Sequence, residues 1–202
     1  MGYHTLFLDI GGVLLTNGWD RHSRQKAAER FYLNEEDMNG RHALMFDPFE
    51  IGKISLDDYL DHVVFYEPRS FTREDFKTFI FEQSQPYPEM LQLMKEMKQK
   101  YQLKVVVVSN EGRELMIYRA DRFKLRELVD FCVCSSFVHL KKPDYEIYQF
   151  AIDMAQVKPQ EVIYIDDRLL LTQIGAELGL KIIHHQSYHQ TRQLLEELLQ
   201  GS

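Results

Sequence analysis

The stretch His4–Leu15, HTLFLDIGGVLL, decides how the rest of the chain is read. Apolar residues lead up to Asp9, Gly11 and Gly12 follow, and Val13 to Leu15 resume the apolar run. Such a run predicts a strand buried on both faces, as in a parallel sheet covered by helices. Asp9 then stands at the strand's carboxyl end, where open α/β sheets gather their chemistry. The paired glycines let the backbone turn sharply and approach a ligand closely. Read alone, Asp9 fits a surface aspartate opening a tight turn equally well.

Outward from this stretch, Leu103 to Val108 form the clearest buried strand and end in Ser109-Asn110. Phe131–Cys134, Val162–Ile165 closed by Asp166-Asp167, and Lys181–His184 read as further strands. Helices are predicted between and after them, over about 89–100, 111–123, 145–154, 169–178 and 191–199. Strand and helix in alternation from residue 86 onward indicate a doubly wound α/β domain. Residues 20–83 instead hold helical patterns over 21–33, about 35–46, 55–65 and from Thr72 on, with no convincing strand. Asp47-Pro48 is expected to end the second of these, and Ser55/Asp58 and Thr72/Asp75 resemble capping boxes. Crossovers are ordinarily far shorter, so a helical unit is inserted after the first strand. The expected division is a core of 1–15 and 86–202 with a helical cap of 16–85.

At 202 residues, 45% of them hydrophobic, the chain is long enough for a substantial core. A formal net charge of -7 gives no steering toward nucleic acid or an anionic membrane surface. A phosphorylated substrate stays compatible with it, since a metal or a lysine reverses the sign locally. Cys132 and Cys134, taken to face opposite ways, make neither a disulfide framework nor a metal clip, and reducing conditions are expected. No stretch reaches the roughly 18 apolar residues of a membrane span and no secretory pattern opens the chain, so the cytoplasm is the expected location. His184, His185 and His189 match no strong metal motif, and the glycines make no dinucleotide fingerprint.

Asp9, Ser109-Asn110 and Asp166-Asp167 each end an apolar run, and Lys142 precedes Pro143 in a fourth loop. In a parallel sheet these ends share one edge. Carboxylates gathered there repel unless a cation lies among them, and a hard divalent ion such as Mg²⁺ suits oxygen ligands. That ion and Lys142 would offset a phosphoryl dianion, Ser109 and Asn110 would donate to its oxygens, and Asp9 would be free to act as nucleophile. Taken singly, helix capping accounts for Asp166-Asp167 and Ser109-Asn110, and a solvated loop for Lys142. Their coincidence at one edge carries the reading.

These residues resemble the haloacid dehalogenase-like superfamily of hydrolases. Asp9 in FLDIGGVLL is similar to its first motif, Ser109-Asn110 after VVVV to the second, Lys142 in KKPDYEIYQFAI to the third, and Asp166-Asp167 in VIYIDD to the fourth. The insert resembles the family's small helical cap, with Phe49–Ser55 similar to a segment common in such caps. The resemblance implies a three-layer Rossmann-like core with sheet order 5-4-1-2-3 and Mg²⁺-dependent phosphatase chemistry through an aspartyl-phosphate. It implies Asp9, Ser109 and Lys142 as catalytic residues. Asp9, the Gly11 carbonyl, Asp166 and Asp167 would hold the metal, while Asn110, Gly12, Trp19, His22, Arg24 and Arg41 would meet the substrate.

One departure weighs most. Family phosphatases usually carry a second aspartate, a general acid–base, where this chain has Gly11. Such catalysis is typically worth 10²–10⁴ in rate, so turnover is expected to be reduced. Asp20 and His22 are the nearest substitutes in sequence. A second departure is Leu171, where many relatives are polar. The leading expectation is a phosphohydrolase on a small phosphorylated metabolite, a sugar or nucleotide phosphate, with no nucleic-acid or membrane partner. The chain is expected to be a monomer, or a homodimer through its last helix or its cap. Two alternatives stay open: a metal-free 2-haloacid dehalogenase using Arg41, and a non-catalytic binding or regulatory protein.

Overall fold

The computed structural model describes residues 2–201. β1 (Thr5–Leu8) is buried along its whole length and lies at the centre of a parallel five-stranded sheet. The others are β2 (Lys104–Ser109), β3 (Phe131–Cys134), β4 (Val162–Asp166) and β5 (Lys181–His184), in the order β3-β2-β1-β4-β5. This is the expected 5-4-1-2-3 arrangement. Leu8 pairs with Val107 on one side and Ile165 on the other, so the next residues of all three strands reach the same edge.

Alternation along β1 explains the three layers. Leu6 and Leu8 join Val105, Val107, Ile163 and Ile165 in a cluster covered by α5 (Pro88–Tyr101) and α11 (Tyr188–Gln200), which starts three residues before the expected point. Phe7 points the other way, with Val106, Val108 and Tyr164, toward α9 (Tyr145–Ala155). Fully burying each such side chain stabilises the fold by about 1.5–3 kcal/mol, which is why both faces are apolar. Cys132 and Cys134 face the same cluster and Val133 the opposite one, correcting the expectation of opposite faces: residues two apart on a strand share a side. Both thiols are free.

Between β1 and α5 the chain forms α1 (Arg21–Phe31), α2 (Glu35–Glu50), α3 (Leu56–Val63) and α4 (Arg73–Glu82). They enclose a core of their own, centred on Phe76 with Phe31, Phe71 and Trp19. Both capping boxes form, at Ser55/Asp58 and Thr72/Asp75. The helix break at Asp47-Pro48 does not occur: α2 continues to Glu50 with Pro48 inside it. Phe49 is buried there and stacks on Tyr59 at 4.8 Å, which offsets the hydrogen bond proline cannot donate.

Two linkers join these helices to the sheet and run side by side. Thr16 N donates to Gln85 O at 2.8 Å, and Thr16 Oγ1 donates to Gln83 O and accepts from Gln85 N. Arg119, on α6 (Arg113–Arg122), is fully buried beneath them. Its guanidinium donates to Thr16 O, Ser84 Oγ and Glu111 Oε1 at 3.0, 3.0 and 2.8 Å. Among the described residues no helix is long and apolar enough to cross a membrane.

Candidate active site

The sheet edge gathers the strand-end residues. Asp9 N donates to Ile165 O at 3.0 Å, which fixes Asp9 against β4. Lys142 Nζ lies 3.1 Å from Asp9 Oδ1 and 2.6 Å from Asp166 Oδ2. Burial alone would favour the neutral amine, but the carboxylates of Asp9 and Asp166 more than reverse this and hold the ammonium charged. Asn110 sets the lysine's position: its Nδ2 donates to Lys142 O at 2.7 Å and its Oδ1 accepts from Lys142 N at 2.8 Å. Asn110 is therefore no helix cap, a place Gly112 takes ahead of α6. Asp166, fully buried, also accepts from Tyr164 OH at 2.5 Å and Arg168 N at 2.8 Å.

Asp9, Asp166 and Asp167 each offer a carboxylate oxygen within 4.8 Å of the others. One lysine does not balance three acids. Burial, then Asp9 and Asp166, push the Asp167 carboxyl up to about 6. Its Oδ1 is buried without a hydrogen-bond donor. An orphaned oxygen beside two more hard oxygen donors fits a divalent cation of the Mg²⁺ type. Gly12 makes room for this packing, with φ +73 and a position where a Cβ would fall 2.1 Å from Asp167 Oδ2. At Gly11 a Cβ would meet Asn17 Oδ1 at 2.8 Å. An amide, not a carboxyl, thus stands where the second acid's side chain would begin.

Above the edge lies a cavity of about 310 Å³. Asp9, Gly11, Ser109, Asn110, Lys142 and Leu171 line its floor, and Trp19, Asp20, Arg24, His42, Phe46, Phe49 and Glu50 its other walls. Gly12 and Asp167 border a second, more open recess instead. Trp19 packs edge-on to Phe76 and its Nε1 donates to Tyr59 OH at 2.8 Å. His22 and Arg41 are not brought to the cavity. On α1 the inward residues are Ser23, Arg24, Ala27 and Ala28, which turns His22 to solvent. Arg41 pairs with Asp37 at 3.1 Å and lies over Tyr66, while its neighbour His42 takes the inward position.

Several wall residues escaped the sequence reading. His42 is pushed down to about 4 by burial and by Arg24. Glu111, next after the Ser109-Asn110 pair, is pushed up to about 7 by burial, with one oxygen on Arg119 and the other buried without a partner. Glu50 is raised by burial and lies 3.7 Å from Lys141 Nζ. Its place in the segment Phe49–Ser55 was the one available signal.

A family model described as haloacid dehalogenase-like hydrolase matches residues 3–179. Among curated proteins, (S)-2-haloacid dehalogenase 4A of Burkholderia cepacia is 26% identical over 111 residues, 52% of this chain and 48% of that protein. Bifunctional epoxide hydrolase 2 of Sus scrofa is 26% identical over 190 residues, 83% of this chain and 33% of that protein. The matches thus span half or less of these relatives. Among solved structures, a HAD family enzyme of Bacteroides thetaiotaomicron in a magnesium complex superposes with TM-score 0.79 at 19% identity, covering 92% of this chain and 94% of that one. The same enzyme with magnesium and inorganic phosphate gives 0.76 at 20% identity, covering 92% and 95%. An L-2-haloacid dehalogenase gives 0.62 at 21%, covering 90% and 83%. At these identities the likeness shows the fold.

Proposed function

This chain belongs to the haloacid dehalogenase-like hydrolases, and from that premise we propose that it is a Mg²⁺-dependent phosphohydrolase acting on a small organic phosphate. One observation carries the reading: Asp9, Asp166 and Asp167 converge within 4.8 Å of one another beside a single lysine. Asp9, the Gly11 carbonyl, Asp166 and Asp167 are the residues that would hold Mg²⁺. The ion would supply positive charge against the phosphoryl oxygens. The small helical cap with an Asp-x-Gly first motif, and the division into 1–15 with 86–202 and 16–85, belong to this reading. The paired linkers at Thr16 and Gln85 support that division.

The chain's own residues account for the rest. Asp9 attacks phosphorus, the ester P–O bond breaks, and the leaving oxygen takes a proton from water; a second water then releases phosphate and regenerates Asp9. Lys142 stabilises the charge developing on the transferring group, while Ser109, whose hydroxyl has no partner among the described residues, donates to its oxygens. Asn110 acts through Lys142, and Gly12 makes room for Asp167. With Asn17 against Gly11, no carboxyl stands at that position to protonate the leaving group, so esters with good leaving groups are favoured; Asp20, Glu50 and Glu111 line the same cavity.

The test is turnover of p-nitrophenyl phosphate across a Mg²⁺ titration. Activity should rise with Mg²⁺, vanish with chelator, and fall by about 10⁴-fold or more in Asp9→Asn, the scale on which loss of a nucleophile is felt. Two relatives named as dehalogenases favour a second reading, in which Asp9 attacks carbon. Metal-free chloride release from 2-chloropropionate would establish it in place of the first.

A further inference from the structure

Three arginines line the cavity, Arg21, Arg24 and Arg168, and among the described residues none forms an ion pair. They stand among the carboxylates of Asp9, Asp20, Glu50 and Glu111, with none of which they form an ion pair. Arg24 matters most because it is buried, at 9% exposure. Its Nε donates to Asn39 Oδ1 at 2.9 Å and its Nη1 to Trp19 O at 3.1 Å, both neutral acceptors, and its Nη2 has no protein partner among the described residues. Asp20 and Glu35 act on it only at longer range, and Asp20's carboxylate accepts from Ser23 N as the cap of α1. A buried guanidinium without a carboxylate is costly unless a ligand supplies the anion.

His42 adds a donor beside it. Trp19 Nε1 can only donate, so Tyr59 OH accepts that bond and has its one proton left for His42 Nδ1, 2.8 Å away. Tyr59 is fully buried and no other acceptor for that proton is recorded. The bond therefore fixes the neutral imidazole with its hydrogen on Nε2, which has no protein partner among the described residues. Burial and Arg24's charge both oppose a second proton. Phe46, tilted against the ring at 4.5 Å, holds it in place.

Resting on the phosphohydrolase reading, we propose that this cap wall is a second anion subsite, in which Arg24 Nη and His42 Nε2–H receive a carboxylate or a second phosphoryl group of the substrate. The substrate class is then a phosphomonoester with an additional anionic group at its far end. Asp9 and Lys142 handle the ester that breaks, and Arg24 and His42 handle the group that stays.

The experiment uses the full chain with Asp9→Asn, in Mg²⁺, and measures binding by calorimetry so that turnover is not needed. The ligands are glycerol 3-phosphate, 3-phosphoglycerate and glycerol 1,3-bisphosphate. At least one doubly anionic ligand should bind about 10-fold or more tighter than glycerol 3-phosphate, the scale of one charge-assisted hydrogen bond. Which one does so separates carboxylate from phosphoryl. Adding Arg24→Gln should bring the ratio close to about 1, since its charge is the source of the preference. Arg24 also braces Trp19 and Asn39, so His42→Asn serves as a second variant: its Oδ1 can still accept from Tyr59 while the far N–H is withdrawn. That ratio should fall as well. Equal binding of the three ligands, no binding of any, or an equal loss for all three in both variants overturns the subsite. Wild-type turnover of p-nitrophenyl phosphate without the preference sinks the subsite alone; the preference without turnover of any ester sinks the phosphohydrolase reading alone.

Discussion

The floor and the roof of the cavity pair their charges differently. At the sheet edge three carboxylates share one lysine, and the excess is negative. On the cap side Arg24 is buried with neutral hydrogen-bond partners only, although Asp20 and Glu50 line the same wall. The floor is assembled from strand ends fixed by sheet register, whereas the roof depends on the rotational phase of α1 and α2. Each surface is incomplete alone, one wanting a cation and the other an anion. A ligand with both, a metal-bound dianionic ester extending toward the cap, would satisfy them together.

The floor breaks most visibly at Lys142. Lys142→Met leaves Asp9 and Asp166 facing each other in a buried site without their cation, a loss of about 3–5 kcal/mol. Urea unfolding in the presence of a chelator should show it, and Mg²⁺ should restore part of the stability. A loss below about 1 kcal/mol would mean the acids do not depend on the lysine.

A smaller effect is expected between floor and roof, at Gly11. Gly11→Asp combined with Asn17→Ala puts an acid where the amide now crowds the backbone. Turnover of alkyl phosphates should rise by about 100-fold, with much less change for p-nitrophenyl phosphate, whose leaving group needs no proton. Equal gains on both would show that the acid does something other than protonate. The smallest effect belongs to Arg41, one residue out of phase with the roof. Arg41→Ala removes an exposed ion pair with Asp37 and should cost no more than about 0.5 kcal/mol in thermal or urea unfolding. A KM shift beyond about twofold would return Arg41 to the substrate site.

The same contrast explains what the sequence made legible. Strands announce themselves by apolar runs, and a parallel sheet sends all their ends to one edge, so the meeting of Asp9, Ser109, Lys142 and Asp166 is legible from position. Helix faces are less forgiving. One residue turns a side chain by about 100°: Arg41, expected at the substrate, pairs with Asp37, while the next residue, His42, lines the cavity. Pro48 misled for another reason: buried contacts of Phe49 override a local helix-breaking signal. The isolation of Arg24 from any carboxylate was invisible, because it depends on what three neighbouring elements fail to provide.

Arg119 has a consequence for how such a protein can diversify. Its guanidinium grips Thr16 on the outgoing linker and Ser84 on the returning one, while being rooted in α6 of the sheet domain. The docking socket therefore belongs to the sheet domain, and the chain between the two gripped residues leaves and returns at one place. An exchanged helical unit would have to match that socket and also the contacts that Ser135 and Glu114 make with Glu50 and Leu56.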